Sequence, residues 1–172
     1  MINEEKTSET LRNVELSLAT IHDREDGVVI GRDGSVLLYQ RGTVDKVSVD
    51  GRLIKDNIFT HNHHNGMCNL SVGDVVSFVK DGGYEVRVVT SDRRFVSLRR
   101  SDGKKNTSLG KDMKKMCTSG PFLNAIKKQT LTKYGKPDFD LQNIVLEEAM
   151  NDWLNNHASE YGYIFTQGRY PL

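Results

Sequence analysis

The strongest restriction on the fold is a series of short apolar runs that are separated by turn-forming residues. In the stretch 27–40, "GVVI" is followed by "GRDG" and then by "SVLLYQ". An Asp-Gly pair supplies the positive φ that a tight turn requires, so this stretch predicts an antiparallel hairpin. The stretch 84–100, in which "SD" separates "YEVRVVT" from "RRFVSLRR", predicts another. The pattern therefore favours a sheet of mostly antiparallel strands.

Further elements are predicted between these two hairpins. "DKVSV", a second Asp-Gly pair at 50–51 and "RLI" continue the antiparallel pattern. "NIFTH" then predicts a short buried strand that ends at His61. The stretch from Ser71 to Lys80 predicts a helix, because Ser71 is a suitable N-cap and Asp74 stands three positions later, as in a capping box.

Helical patterns lie on both sides of this region. Residues 8–21 carry apolar side chains at helical spacing with Ser8 as a candidate N-cap, although the alternation within this stretch fits a strand equally well. Pro121 suits the first turn of a helix that runs to Gly135, and a longer helix is expected from about Asp140. The predicted class is α+β: a mixed, mostly antiparallel sheet, a short helix after the histidines and a helical C-terminal extension.

The stretch "FTHNHHNGMCNLSVGD" contains a candidate metal site. His61 and His63 are two positions apart at the end of a strand, so both side chains lie on one face of the sheet. Asp74, in the first turn of the next helix, can reach the same point. Two imidazole nitrogens and one carboxylate oxygen suit Zn²⁺ and leave its fourth position open. Ser71 can direct its hydroxyl at a water or a substrate oxyanion, and Cys68 lies in the same loop.

The pattern His-x-His, seven residues, Ser-x-x-Asp resembles the signature of the JAMM metallopeptidases, also called JAB or MPN-plus domains. The segment "THNHHNG" is most similar to the motif of bacterial RadC-type and phage-encoded members. It has His64 in place of their proline and Asn65 in place of a small residue. The resemblance covers roughly residues 25–99. It implies a JAB/MPN-like fold with cytidine-deaminase-like layering, zinc as cofactor, and hydrolysis of a peptide or isopeptide bond in a protein or peptide substrate.

The resemblance also implies a glutamate from an early strand that acts as general base. Glu25, just before "GVVI", is the best positional candidate for this role. Glu15, Asp23 and Asp26 are the alternatives. A carboxylate is needed there because it takes a proton from the activated water and delivers it to the leaving amine.

The chain is long enough to bury a core of its own, and its composition limits the other possible functions. The formal net charge of +1 gives no global attraction to nucleic acid or membranes. The two cysteines, the acidic N-terminal sequence and the absence of an apolar run near the roughly 20 residues of a membrane helix predict a cytoplasmic protein without membrane contact. We expect four parts: an N-terminal helical segment, a JAMM-like metal-binding core, a basic linker and a helical C-terminal extension that packs on the core, at 1–21, 22–100, 101–118 and 119–172.

A second function is suggested by basic residues that we call the basic strip. Its members lie on a predicted strand and the polar segment after it: Arg93, Arg94, Arg99, Arg100, Lys104, Lys105, Lys111, Lys114 and Lys115. They are either a solvated surface or a contact surface for an acidic partner or nucleic acid. The alternative to an enzyme is therefore a non-catalytic interaction domain that binds through this strip.

Overall fold

A six-stranded sheet forms the centre of the structure, which is a computed structural model describing residues 4–101 and 106–171. The strands of the described ranges are β1 (Asp26–Ile30), β2 (Val36–Arg41), β3 (Ile58–His63), β4 (Glu85–Thr90), β5 (Arg94–Arg100) and β6 (Tyr163–Arg169). The α-helices of the same ranges are α1 (Glu4–Leu18), α2 (Gly51–Ile54), α3 (Val72–Asp81), α4 (Ser108–Cys117), α5 (Gly120–Tyr134) and α6 (Phe139–His157). A short 3₁₀ helix, Ala158–Tyr161, connects α6 to β6.

The strand order in the sheet is β2-β1-β3-β4-β5-β6. Neighbouring strands are antiparallel except for β3 and β4, which run parallel. A parallel pair cannot be joined by a tight turn and needs a crossover, and α3 provides it. The chain therefore passes from the end of β3 through the loop 64–71 into the start of α3. This strand-to-helix junction carries the candidate metal ligands.

Helices cover both faces of the sheet. On one face, α1 packs Leu11 and Leu18 against residues such as Ile30 and Ile58. On the other face a larger core joins the sheet to α3, α4 and α6, with Phe78 and Leu154 among its buried residues. The alternation of side chains along each strand supplies both cores. The predicted α+β class with a mixed, mostly antiparallel sheet is confirmed.

Most predicted elements are confirmed, including both hairpins, α3, α5 and α6. The N-terminal stretch is a helix and not the alternative strand, but α1 begins at Glu4, so Ser8 lies inside it and the prediction of Ser8 as N-cap is wrong. In the part of the chain that the structure describes, no helix combines the length and apolarity that crossing a bilayer requires.

The prediction of a turn at the second Asp-Gly pair is wrong. Asp50 instead caps α2, its side chain accepting a hydrogen bond from the backbone N–H of Arg52 at 2.9 Å. Residues 42–50 form no strand. Aspartate is favoured both in turns and at helix N-caps, so the local sequence supports either outcome.

Parts of the segments predicted as linker and C-terminal extension are packed into the core. Within 101–118, α4 buries Leu109 and Met113 against α3, and a Cβ on Gly110 would lie 2.9 Å from the Cα of Val76. Glycine at that position thus permits the close approach of the two helices. Strand β6 was not predicted. It pairs along the whole of β5 and makes the C-terminal segment part of the sheet.

Candidate metal centre

His61, His63 and Asp74 meet at the junction of β3 and α3. The Nε2 atom of His61 lies 3.3 Å from Oδ1 of Asp74, and Nε2 of His63 lies 3.9 Å from Oδ2 of the same carboxylate. One ligand atom from each of the three residues falls within 4.8 Å of the others, so a single metal ion can contact all three. Both histidines are buried and the aspartate is partly buried. The predicted residues therefore form a group that can hold a metal ion.

The two imidazole rings are oriented by their neighbours. Nδ1 of His63 lies 2.9 Å from the carbonyl oxygen of Met67. Donation of the Nδ1 proton to that carbonyl leaves the Nε2 lone pair directed toward Asp74, as in metal sites where the second nitrogen fixes the tautomer. His61 stacks on Phe59, with ring centres 5.2 Å apart. Its Nδ1 is buried without a well-formed hydrogen bond to any described residue, although the backbone of Arg87 is near enough to influence its pKa.

A capping box fixes the position of Asp74. Its Oδ2 atom accepts a hydrogen bond from the backbone N–H of Ser71 at 2.8 Å, and its own N–H donates to Oγ of Ser71 at 3.1 Å. Both predicted residues are therefore held by the motif that starts α3. The Ser71 hydroxyl accepts from the Asp74 N–H and is also close enough to the Asp74 carboxylate to lower its pKa. A hydroxyl group can rotate, so its proton can turn from that carboxylate to a substrate atom.

The charges of the three groups differ because of burial and mutual attraction. Burial favours the neutral form of Asp74, but His61 and then His63 hold its pKa well below the usual range. Burial opposes protonation of His61, yet the Asp74 carboxylate raises the pKa of that ring overall. Burial and the neighbouring His61 lower the pKa of His63 to about 4. At neutral pH Asp74 is thus a carboxylate and His63 a neutral imidazole, the forms that bind metals.

Glu25 faces the same cavity as the three ligands. It directly precedes β1, in which Gly27 pairs with His61, so alternation places Glu25 on the face of the histidines. Its side chain helps to line a cavity of about 790 Å³ together with His61, His63, Ser71 and Asp74. Burial raises its pKa, His61 opposes this, and Asp74 and Asp45 add to it.

The alternative carboxylates lie elsewhere. Glu15 is fully buried on the α1 face, where it is paired with Arg87. Asp26 accepts hydrogen bonds from Arg24 and Tyr39, and Asp23 is an exposed partner of Arg24. None of these three carboxylates lines the cavity. Among the four candidates, Glu25 alone lines the cavity of the three ligands.

Asn62 was missed by the sequence reasoning. It is buried between the two histidines on the opposite face of β3, and its Oδ1 accepts a hydrogen bond from the N–H of Asp26 at 2.7 Å. Its amide nitrogen donates to the carbonyls of Ile21 at 3.2 Å and Arg24 at 2.9 Å. These bonds fix the segment from which Glu25 projects. The sequence feature that could have identified Asn62 is its position between the two histidines of the His-x-His motif, where a polar amide must be buried.

Helix α6 supports the loop 64–71 that carries the site. Asn151 donates a hydrogen bond to the carbonyl of Cys68 at 2.9 Å, and Arg94 donates to the carbonyl of Gly66 at 2.9 Å and to Glu147 at 2.8 Å. The Cys68 thiol is buried, which raises its pKa to about 12, and it is not part of the ligand group. The loop is therefore held between the sheet and the C-terminal helices.

The basic strip does not form one continuous free surface. Arg93 and Arg94 lie at one end of β5 and Arg99 and Arg100 at the other, roughly 17 Å away at 3.4 Å per residue. Arg94 pairs with Asp92 and Glu147, and Arg100 pairs with Asp56. Lys104 and Lys105 lie outside the described residues, while Lys111, Lys114 and Lys115 are on α4. Binding of an acidic partner or nucleic acid through the strip stays a prediction.

Comparison with known proteins gives no relative: no protein-family model matches the chain, and no curated protein or solved structure is significantly similar to it.

Proposed function

We propose that the protein is a zinc-dependent hydrolase of the JAMM type that cleaves a peptide or isopeptide bond in a protein or peptide. Its motif sequence resembles that of the RadC-type members. The observation that carries this proposal is the meeting of His61, His63 and Asp74 with the Glu25 carboxylate in one cavity. The β3-α3-β4 crossover, which puts ligands at a strand end and a helix start, supports JAB/MPN-like layering.

The donor set is the one that catalytic zinc sites use. Two imidazole nitrogens and one carboxylate oxygen bind Zn²⁺ with tetrahedral geometry and leave one position for water or substrate. His61, His63 and Asp74 would hold the ion. Bound there, zinc would lower the pKa of water to around 7 and polarise a carbonyl group.

Glu25 is suited to move a proton. Its burial raises the pKa of the carboxyl group toward the working pH, which is where a general base exchanges protons most effectively. The carboxylate accepts a proton from the attacking water and later gives it to the nitrogen of the leaving amine. The bonds of Asn62 to the backbone around Asp26 keep this side chain on the cavity face.

Ser71 and the cavity walls are suited to hold the substrate. With its oxygen accepting from Asp74, the Ser71 hydroxyl can donate its proton to the oxygen of the scissile carbonyl. Apolar side chains continue the cavity away from the ligands, including Phe78, Leu146 and Met150. We expect them to accept an apolar side chain next to the cleaved bond.

The test is hydrolysis of a library of peptides and lysine-linked isopeptides by the zinc-loaded chain. We expect cleavage that a chelator abolishes. Glu25→Gln should reduce the rate at least about 100-fold without loss of zinc, because it removes proton transfer but no ligand. Glu9→Gln, which changes an exposed carboxylate on α1, is the matched control and should cleave at the wild-type rate.

Two results would contradict the proposal. Full activity in Glu25→Gln would show that another carboxylate is the general base. No cleavage of any substrate by the zinc-loaded protein, together with nucleic-acid binding that survives removal of the metal, would favour the interaction domain instead.

A further inference from the structure

A second cavity, of about 480 Å³, lies on the α1 face of the sheet. Helix α1, the turn between β1 and β2, and the strands β4, β5 and β6 form its walls. The metal centre is on the opposite face, because Glu85 and Arg87 alternate with the core residues Val86 and Val88 on β4. A cavity of this size is in the range of small-molecule sites, about 300–1,000 Å³.

Four guanidinium groups line this cavity: those of Arg12, Arg32, Arg87 and Arg99. Arg87 forms ion pairs with two buried carboxylates, Glu15 at 2.6 Å and Glu85 at 2.8 Å. Within 4–101 and 106–171, the other three arginines form no ion pair with any carboxylate. Glu4 is the remaining acidic residue in the wall. Four arginines against Glu4, Glu15 and Glu85 leave a formal charge of about +1 at the cavity, with three guanidinium groups outside these ion pairs.

Arg32 carries a donor that the described residues do not satisfy. Its Nε atom is buried and has no hydrogen-bond partner there. The guanidinium group stacks over the ring of Tyr84, 4.0 Å from the ring centre, and the Arg32 carbonyl accepts a hydrogen bond from Thr7 on α1 at 3.1 Å. The side chain is thus held in place while a buried polar group stays unpaired, which costs free energy unless an acceptor is supplied.

Aromatic and aliphatic side chains make up another part of the wall. Phe95 lies under the guanidinium group of Arg87, 4.7 Å from the ring centre, and its ring is tilted against that of Tyr170 at 5.0 Å. Leu11 and Ile58 add aliphatic surface. Aromatic rings and stacked guanidinium planes both favour a planar group on the ligand.

We infer that this cavity binds a small phosphate ester with a planar ring, of the nucleoside monophosphate class. A carboxylate accepts one guanidinium fork, whereas a phosphate presents three terminal oxygens and a charge near −2, which matches three unpaired arginines better. Arg12, Arg32 and Arg99 hold the phosphate, and the ring lies against the aromatic part of the wall. The site is independent of the metal centre and of the hydrolase proposal.

Isothermal titration calorimetry of the full chain with adenosine 5′-monophosphate tests this inference. We expect binding that persists in His63→Ala and with chelator present. Adenosine, which lacks the phosphate, and inorganic phosphate, which lacks the ring, should each bind about tenfold more weakly or worse. Arg32→Gln should weaken binding of the monophosphate about tenfold, because a charge-assisted hydrogen bond is lost.

Arg41→Gln is the matched control, since Arg41 is exposed on β2 and outside the cavity. It should bind the monophosphate as the wild type does, and circular dichroism should show both variants folded. Wild-type affinity in both Arg32→Gln and Arg12→Gln, or no binding of the monophosphate by the wild type, would overturn the site. Equal affinity for inorganic phosphate would overturn the role of the ring.

Discussion

His61 and His63 differ in their charge although they share one ligand group. The Asp74 carboxylate prevails over burial at His61 and raises its pKa, whereas burial and His61 lower the pKa of His63 to about 4. At pH 6 the metal-free protein should therefore carry a proton on His61 and none on His63. Asp74 is ionised at that pH because its pKa is held low.

The number of protons released on zinc binding should report this difference. Binding requires both rings in the neutral form, so we expect about one proton per zinc at pH 6, where water on the zinc would still be mostly un-ionised. Two histidines with an ordinary pKa of about 6.5 would together release about 1.5 protons per zinc at pH 6. Calorimetry in buffers of different ionisation enthalpy measures the number of protons released per zinc. The Glu25→Gln variant is used, so that no proton comes from Glu25. A value of 1.5 or more would contradict the assigned charges.

At the residue scale, the ligands were predictable and their supports were not. Spacing alone puts His61 and His63 on one face, and the capping signal puts Asp74 at a helix start. Glu25 could be proposed only from its position in the sequence, because its side chain reaches the face of the metal ligands through the pairing of Gly27 with His61. The role of Asn62 depends on contacts with residues about 40 positions away, and no local pattern encodes them.

At the element scale, the start of α3 links helix stability to metal binding. Ser71→Ala removes an N-cap and loosens Asp74, so we expect a loss of about 1 kcal/mol in the free energy of unfolding and about tenfold in zinc affinity. Ser119, which caps α5 by accepting from the N–H of Phe122 at 3.3 Å, provides the matched control. Ser119→Ala should lose similar stability and keep its zinc affinity. Urea unfolding and zinc titration measure both; equal zinc affinity in the two variants would contradict the link.

Elements with strong local signals were predicted, and those that depend on tertiary contacts were not. The hairpins, α3 and α5 carry turn and capping residues that act over a few positions. An aspartate such as Asp50 is equally favoured in a turn and at a helix N-cap, so its presence does not distinguish the two. Strand β6 follows a helix without a hairpin turn, and its place is determined by the free edge of β5.

At the scale of the whole molecule, a buried polar network joins the N-terminal helix, the sheet and the C-terminal strand. Glu15 on α1 accepts hydrogen bonds from Arg87 at 2.6 Å and from Tyr170, just after β6, at 2.6 Å. Thr60 on β3 donates to the same carboxylate at 2.8 Å. The ends of the described chain are therefore connected through one charged cluster.

Breaking this network should be far more damaging than breaking a surface pair. Arg87→Ala leaves Glu15 and Glu85 buried without their cation, so we expect a loss of about 3–5 kcal/mol in the free energy of unfolding. Arg52→Ala removes an exposed ion pair with Asp50 and should leave the urea midpoint almost unchanged. Similar urea midpoints for the two variants would show that the network does not stabilise the fold.

The metal content of untagged protein tests the central claim most directly. Elemental analysis after purification should find about one zinc per chain, because three ligands converge on one point. His61→Ala and Asp74→Ala should lose the metal, since two ligands hold it poorly, whereas His22→Ala, which changes an exposed histidine, should keep it. Native protein that never binds zinc, or an Asp74→Ala variant that retains a full equivalent, would contradict the account.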